Sequence, residues 1–425
     1  MKAIFDVIVI GAGLSGSFLA SKLKDQGKRV LIIEKSRGVG GRCSTKPIEK
    51  NIVDYGCQYF KPKSNSAINI LNNLVDQNIL ERVQIKKNKE VLISPLGMNR
   101  VPQYFARNVP VLTNTKANLI KRENDVWLIK TNTLNLESKT IVSSIPTNQN
   151  IELFLKSDIC LGDNIFPKVS YHSFFTITCM NKLVTDTILQ QISSDFSWIC
   201  NNTLKGLRNE KYVYTINTSK SFTKRLLTLN KKDAEKEIRE KLNLIGMKHP
   251  KNLSIHFWKY AYSDSGSNEK GYWNNKISLG LCGDGFGLGK IDGALTSADF
   301  LSKKVGFEVF QTHVVTPDMR SVKINYHAPL LTCGLLVQND FCIMQKLDNQ
   351  HLLTAAVLCF PANWRLDEKF MKPLFSIHEN VPEYTHGIAK RVDRIFDGIK
   401  VNHPVWRFNV LEYSNSALHQ PYRLH

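Results

Sequence analysis

The stretch DVIVIGAGLSG at residues 6–16 decides how the first part of this 425-residue chain folds. Its apolar half has the length of a buried parallel strand. From Leu14 to Gln26 the apolar residues recur at helical spacing, and a second apolar run follows from Arg29 to Glu34. Strand, glycine turn, helix and strand in this order predict a βαβ unit, which is right-handed by default.

The glycines of this stretch have the spacing of a dinucleotide-binding turn. Gly11 permits the tight turn, Gly13 lets the backbone approach a pyrophosphate, and Gly16 lets helix and strand pack closely. The N-terminus of the helix would then stabilise the pyrophosphate. The predicted cofactor-binding residues of this turn are Gly11, Gly13, Leu14, Ser15 and Gly16.

The segment EKSRGVGGR at residues 34–42 decides which dinucleotide is bound. An acidic residue at the position of Glu34 accepts hydrogen bonds from ribose hydroxyls and therefore suits FAD or NAD rather than NADP. Arginine and glycine follow it directly and form a second phosphate-binding segment. An NAD domain has no need of that segment, so the sequence favours FAD. The predicted cofactor-binding residues here are Glu34, Lys35, Arg37, Gly40, Gly41 and Arg42.

These glycine and arginine residues together resemble the signature of the flavin amine oxidase superfamily. The run CST at residues 43–45 and the run DYGCQYF at residues 54–60 are similar to the renalase branch. The motifs PLGM, HFWKY and GDGFG follow in the order that this branch would have. The resemblance covers about residues 4–305. It implies that further residues lie near the FAD, namely Gln58, Gly283, Asp284, Gly293 and Ala294.

The resemblance also implies a chemistry that belongs to the flavin. A hydride would leave a C–H bond next to nitrogen, in a reduced nicotinamide (NAD(P)H) or an amine, and reach flavin N5. Dioxygen would reoxidise the flavin and give hydrogen peroxide, and no side-chain nucleophile is required. His256, Trp258 and Tyr260 alternate along one strand and are candidates for a substrate-facing wall. Core aromatic residues would show the same pattern.

The C-terminal residues carry a second resemblance, to the α-subunit of haem-dependent oxidative N-demethylases. It rests on ordered motifs between residues 328 and 421, among them CFPANWRLDEK, IHENVP, PVWRFN and HQP. It implies a PAS-like domain that binds haem b, with His378 and His419 as candidate haem ligands. Because members of that family continue well beyond the last motif, we expect a truncated domain or a separate chain that completes it.

The fold class predicted for the whole chain is α/β, or α+β overall. A Rossmann-like FAD-binding domain carries an inserted antiparallel-sheet substrate domain, and a partial PAS-like α+β domain follows. The FAD-binding domain is assigned to residues 1–95 and 250–305, with strands from 111–145. Residues 96–110 and 147–249 are assigned to the substrate domain, or cap. Residues 306–425 form the N-demethylase-like domain.

The composition limits which classes of partner the sequence predicts. The net charge of +20 favours anionic partners, but the basic residues are spread thinly, so nucleic-acid binding ranks last. Nine cysteines without a CxxC pair argue against a disulfide framework and a structural zinc site. No apolar stretch has the length of a membrane span, and no targeting sequence is evident. We therefore expect a cytoplasmic protein with a small-molecule substrate.

Two other functions remain open at this stage. In the first, the flavin feeds electrons to a haem in the C-terminal part for oxidative N-demethylation of small amines. In the second, flavin and PAS-like part form a sensor or binding module without turnover. A desaturase or isomerase acting on an apolar substrate is a further possibility within the enzyme class. Turnover and a haem absorption band separate these alternatives.

Overall fold

The computed structural model describes residues 4–86, 88–159, 165–182, 187–191 and 193–305, and after residue 305 the backbone of the strands alone. The chain divides after Val305 into two compact units. The helices are Leu14–Asp25 (α1), Asn65–Asp76 (α2), Arg100–Ala106 (α3), Thr147–Lys156 (α4), Lys220–Leu226 (α5), Lys231–Leu244 (α6) and Lys290–Ser302 (α7), with a short 3-10 turn at Gly41–Cys43.

The strands of the first unit are Phe5–Ile10 (β1), Val30–Ile33 (β2), Thr45–Ile48 (β3), Asn51–Asp54 (β4), Glu81–Lys86 (β5), Lys89–Ile93 (β6), Val111–Leu112 (β7), Ala117–Glu123 (β8), Val126–Thr131 (β9), Asn135–Ser143 (β10), Tyr171–Met180 (β11), Leu189–Gln190 (β12), Phe196–Asn201 (β13), Val213–Thr218 (β14), Lys251–Ser263 (β15), Tyr272–Asn274 (β16) and Leu279–Leu281 (β17). Those of the second unit are Phe307–Val315 (β18), Ser321–Pro329 (β19), Val337–Gln338 (β20), Phe341–Cys342 (β21), Gln345–Lys346 (β22), Thr354–Pro361 (β23) and Trp406–Tyr413 (β24).

The predicted βαβ unit is confirmed and forms the centre of the larger sheet. β1 pairs in parallel with β2 on one side and with β10 on the other, and β7 and β17 extend the parallel part. The apolar run of β1 is continuous because both of its faces are covered. Val7 and Val9 belong to the core on one face, and Ile8 and Ile10 belong to the core on the other.

A five-stranded antiparallel sheet, in the order β12-β13-β14-β11-β15, forms the cap. This agrees with the predicted inserted sheet. The sequence assigned residues 250–263 to the FAD-binding part, and the structure corrects this. β15 pairs with β11 along its whole length, and Leu253 and Ile255 on it pack against the cap core.

The assignment of residues 96–110 to the cap is also corrected. These residues include α3, whose Phe105 ring lies edge-to-face with the Phe18 ring of α1, with 5.0 Å between the ring centres. Both side chains are buried in one core of the Rossmann-like part. The segment therefore packs against the helix that follows the glycine turn.

The second unit is described by its strands. β18 pairs with β19, β20 pairs with β21, and β23 lies between β22 and β24, all antiparallel. His378 and His419, the candidate haem ligands, lie outside the described residues. Within the part of the chain that the structure describes, no helix has the length and hydrophobicity needed to cross a membrane.

Candidate active site

The glycine turn between β1 and α1 has the geometry that a bound pyrophosphate requires. Gly11 has a φ of +105°, which disfavours other residues. A Cβ on Gly16 would collide with the carbonyl oxygen of Gly11, whereas a Cβ on Gly13 would meet nothing within 4 Å. α1 begins without a side-chain cap and without an acidic residue in its first turn. The turn is therefore closed where helix and strand pack and open where a ligand would approach.

The second glycine segment lies directly against this turn. The backbone N–H of Gly40 donates to the carbonyl oxygen of Ala12 at 2.9 Å. A Cβ on Gly41 would lie 3.0 Å from the Cα of Gly13. The two segments that the sequence assigned to phosphate binding are thus adjacent in space.

The predicted acidic and basic residues between the two segments have different environments. Glu34 is buried, and its carboxylate accepts hydrogen bonds from Ala12 N at 2.8 Å and from Ser36 N at 2.7 Å. A carboxylate has lone pairs for further bonds, so Glu34 holds the turn and remains able to accept from a ribose hydroxyl. Lys35 and Arg37 are exposed, and Lys35 donates to Gln149 at 3.1 Å.

Arg42 and Asp284, which the sequence predicted separately, form one bidentate ion pair. Two nitrogens of Arg42 each lie 2.6 Å from one oxygen of Asp284. Burial disfavours the charge, but the neighbouring Asp284 carboxylate outweighs it and raises the pKa of Arg42. The hydroxyl of Tyr171 donates to the same carboxylate at 3.2 Å. Tyr171 begins the first long cap strand, so the cap and the FAD-binding part meet at this pair.

The loop before α7 is held in place by the helix itself. The hydroxyl of Ser297 accepts from Gly283 N at 2.9 Å and lies 3.2 Å from its carbonyl oxygen. A Cβ on Gly293 would collide with the carbonyl oxygen of Phe286, so this glycine lets the loop pack on the helix. Gly293 therefore has a packing role here, and contact of Gly293 and Ala294 with the cofactor stays a prediction.

Aromatic side chains cover one face of β15. The ring centres of His256 and Trp258 are 4.4 Å apart, and Tyr55 contacts both of them. The indole N–H of Trp258 donates to the carbonyl oxygen of Tyr55 at 3.0 Å. Tyr260 instead packs edge-to-face with Tyr171, with 5.7 Å between the ring centres. The three predicted wall residues thus fall into two neighbouring aromatic groups.

A buried cation that the sequence did not reveal pairs with Asp54, the residue before Tyr55. Lys205 follows the cap strand β13, and its side chain and that of Asp54 are fully buried. Its ammonium donates to Asp54 at 2.7 Å and to the side-chain oxygen of Gln58 at 3.2 Å. The amide nitrogen of Gln58 donates to two backbone carbonyls, those of Asp54 and Gly56. The amide of Gln58 therefore fixes its own segment, and its predicted contact with the cofactor stays a prediction.

A cavity of about 620 Å³ opens beside Tyr171 and Tyr260. It is lined by Asn148, Lys168, Val169, Ser170, Tyr171, Lys259 and Tyr260. Two of these residues are cationic and none is acidic. Because Tyr171 contacts Asp284, the cavity adjoins the Arg42–Asp284 pair.

These residues fit an FAD. The space beyond Gly13 is open, the first turn of α1 is uncapped, and the guanidinium of Arg42 is partly exposed beside it. Backbone N–H groups and an arginine are the donors that a pyrophosphate needs. For a metal ion the situation differs: among the residues with described side chains, no group of three or more His, Cys, Asp or Glu could hold one.

Comparison with known families agrees with both predicted resemblances. Residues 9–74 match the family described as NAD(P)-binding Rossmann-like domain. Residues 299–424 match the family described as haem-dependent oxidative N-demethylase, alpha subunit-like.

The curated relatives are similar over short segments. The chain is 34% identical over 109 residues to a UDP-galactopyranose mutase of Mycoplasma genitalium, which is 24% of this chain and 27% of that protein. It is 37% identical over 81 residues to a β-cyclopiazonate dehydrogenase of Aspergillus flavus, 19% of this chain and 16% of that protein. It is 36% identical over 75 residues to the flavin-containing amine oxidase B of Bos taurus, 17% of this chain and 14% of that protein. The matched segments thus span about a quarter or less of these relatives.

Solved structures extend the similarity to 71–72% of the chain. A putative protoporphyrinogen oxidase from Exiguobacterium has a TM-score of 0.54 at 9% identity, covering 72% of this chain and 99% of that one. Cyclohexylamine oxidase from Brevibacterium oxydans has a TM-score of 0.52 at 11% identity, covering 71% of this chain and 99% of that one. At this identity the likeness concerns the fold. The chain therefore shares its fold with these oxidases over 71–72% of its length, and it carries an NAD(P)-binding Rossmann-like segment and an N-demethylase α-subunit-like region.

Proposed function

We propose that the chain is an FAD-dependent oxidoreductase that oxidises a reduced nicotinamide or an amine and passes the electrons to dioxygen. The observation that carries the proposal is the contact between the two glycine segments at the uncapped N-terminus of α1. One such segment is common to many dinucleotide-binding proteins, whereas two adjacent ones with Arg42 beside them suit the extended pyrophosphate and ribityl chain of FAD. The similarity to a flavin-containing amine oxidase supports the same cofactor.

A bound FAD would supply the hydride acceptor at N5 and, on reoxidation by dioxygen, hydrogen peroxide. The chain's own residues would bind the cofactor and orient the substrate. The N-terminus of α1 and Arg42 hold negative charge. Trp258 and Tyr55, whose rings stack with 5.6 Å between their centres, offer flat faces against which a planar substrate ring can lie.

The charges around this face favour the reduced nicotinamide over the amine. Lys46 lies 5.2 Å from the centre of the Tyr55 ring, and Lys168 and Lys259 line the neighbouring cavity. Cations attract the pyrophosphate of a dinucleotide and repel a protonated amine. The renalase branch stays a prediction that this charge distribution supports.

The test is the absorption spectrum of the purified full chain before and after anaerobic addition of a donor. We expect a flavin band that NADH or NADPH bleaches faster than a small primary amine does, followed by peroxide release in air. Replacing Lys168 and Lys259 by Glu should raise KM for the dinucleotide about tenfold, roughly the effect of 1.4 kcal/mol. Lys232→Glu, an exposed change on α6, is the matched control. A flavin that no donor reduces would favour the sensor, and absence of flavin would refute the proposal.

A second candidate function, electron transfer from flavin to haem, is favoured by the match of residues 299–424 to the N-demethylase family. It requires haem in the same preparation. An added haem band, reduced after the flavin when donor is supplied, would support it, and a flavin band alone would contradict it. A second chain that completes the C-terminal domain would be a partner in this case.

A further inference from the structure

Two cysteines lie in the segments that carry Arg42 and Gln58. Cys43 ends the 3-10 turn, and Cys57 follows the β3–β4 hairpin. Backbone pairing continues beyond the hairpin, because Tyr55 N donates to Ser44 O at 3.1 Å and Cys57 N donates to Arg42 O at 2.7 Å. The two segments therefore run side by side, and the side chains of Cys43 and Cys57 interact with each other. The Cys57 thiol donates a hydrogen bond to the carbonyl oxygen of Tyr59 at 3.0 Å.

The two thiols differ in exposure and in pKa. The interaction between the two side chains lowers the pKa of Cys57 against the opposing effect of its burial. The same interaction and burial together raise the pKa of Cys43. Cys57 is partly exposed, whereas Cys43 is buried. The thiolate is the reactive form of cysteine, so Cys57 is the expected nucleophile.

The other cysteines with described side chains lack these properties. All three are buried, and burial raises the pKa of Cys179 to about 12, of Cys200 to about 11 and of Cys282 to about 12. They serve as internal controls for unselective oxidation.

We propose that Cys43 and Cys57 are a redox-active dithiol that hydrogen peroxide converts into a reversible disulfide. The Cys57 thiolate attacks one peroxide oxygen, the O–O bond breaks, and water leaves after protonation, which gives a sulfenic acid at Cys57. The Cys43 sulfur then attacks the Cys57 sulfur, the S–O bond breaks, and a second water leaves. Two electrons pass from the two thiols to one peroxide.

The inference rests on the proposed function for the source of the peroxide alone. Because Cys43 and Cys57 adjoin Arg42 and Gln58, which are predicted to bind the cofactor, peroxide released at the flavin would form near the dithiol. The disulfide would link the 3-10 turn covalently to the Asp54–Gln58 segment. Oxidation would therefore restrict the movement of the predicted cofactor-binding residues in these segments.

The experiment adds peroxide directly to the purified full chain. One equivalent is added, thiols are blocked with N-ethylmaleimide under acid-quenched denaturing conditions, and the chain is digested without reductant for mass spectrometry. We expect one cross-linked peptide that joins Cys43 to Cys57, the loss of two free thiols, and their recovery with dithiothreitol. In Cys43→Ser, Cys57 should stop at a sulfenic acid that dimedone traps. Cys200→Ser should leave the cross-link intact.

Three results would overturn the inference: unchanged thiols, a cross-link of either cysteine to another one, or sulfinic acid at Cys57 with Cys43 still free in the parent chain. Because the peroxide is added, the result does not depend on flavin turnover. A chain that forms the disulfide but oxidises no donor would contradict the proposed function and leave this inference standing.

Discussion

Two ion pairs join distant parts of the first unit, and they differ in what surrounds them. The side chains of Lys205 and Asp54 are 0% exposed, whereas those of Arg42 and Asp284 are 29% and 7% exposed. The first pair is enclosed between the cap and the β3–β4 hairpin. The second lies next to the open glycine turn. The closed region therefore holds the cap on the FAD-binding part, and we propose that the open region receives the cofactor.

Each carboxylate accepts three hydrogen bonds, so the difference between the two pairs lies in the exposure of the cation. Asp54 accepts from Lys205, Met98 N and Thr45, all within the protein. Asp284 is held by Arg42 and Tyr171, and Arg42 keeps a partly exposed guanidinium with donors to spare. Substitutions in the closed region should therefore lower the free energy of unfolding, and substitutions in the open region should weaken the binding of the cofactor.

The largest effect is expected for Lys205→Met. It leaves the Asp54 carboxylate buried without its cation, which costs about 3–5 kcal/mol. Urea unfolding measures this as a lower midpoint. Lys211→Met is the matched control, because Lys211 pairs with Glu49 on the surface and its side chain is 60% exposed; a change of about 0–1 kcal/mol is expected there. Equal losses in the two variants would refute the distinction between closed and exposed pairs.

Two alanine substitutions in the glycine turn between β1 and α1 separate an effect on stability from an effect on cofactor binding. Gly16→Ala places a Cβ against the carbonyl oxygen of Gly11, so we expect a loss of about 1–3 kcal/mol as in an overpacked core. Gly13→Ala places its Cβ in open space and has a permitted backbone conformation, with a φ of −80°. It should leave the unfolding midpoint of the FAD-free chain unchanged and weaken FAD retention about tenfold or more. Bound flavin per chain and urea unfolding are the two readouts. Full flavin content in Gly13→Ala would contradict the cofactor site.

A smaller effect is expected for Arg42→Lys. Lysine keeps the positive charge but lacks the planar fork that bonds both oxygens of Asp284. We expect FAD affinity to fall about tenfold and the free energy of unfolding to change by about 1 kcal/mol. Flavin release during dialysis measures the first quantity. Arg29→Lys, in the exposed pair with Asp6, should change neither. A decrease in the free energy of unfolding as large as that of Lys205→Met would mean that Arg42 belongs to the closed region.

The open region could be predicted from the sequence, and the closed region could not. The glycines, Glu34 and Arg42 lie within about one βαβ unit, where spacing fixes geometry. Lys205 contacts a residue 151 positions away, and no local pattern identifies such a partner. The acidic residue of the DYGCQYF motif was the available signal, since a buried carboxylate needs a cation. Similarly, the alternation of His256, Trp258 and Tyr260 in the sequence predicts a strand. It does not predict that this strand pairs with the cap.

The smallest effect concerns His256, whose ring packs against those of Tyr55 and Trp258. Partial burial and the charge of Lys46 lower the pKa of His256 from 6.5. The unfolded chain then binds the proton more readily than the native one, so stability is fully present at pH 7 and falls as the pH decreases from 6.5 through the folded pKa. His256→Gln should show a slightly shallower loss of unfolding free energy between pH 7 and pH 5. Lys46→Met should do the same and Lys46→Arg should not, because the arginine keeps the charge. A steeper loss in His256→Gln would mean that protonated His256 is stabilised in the folded chain, which an acidic neighbour and not Lys46 would have to provide.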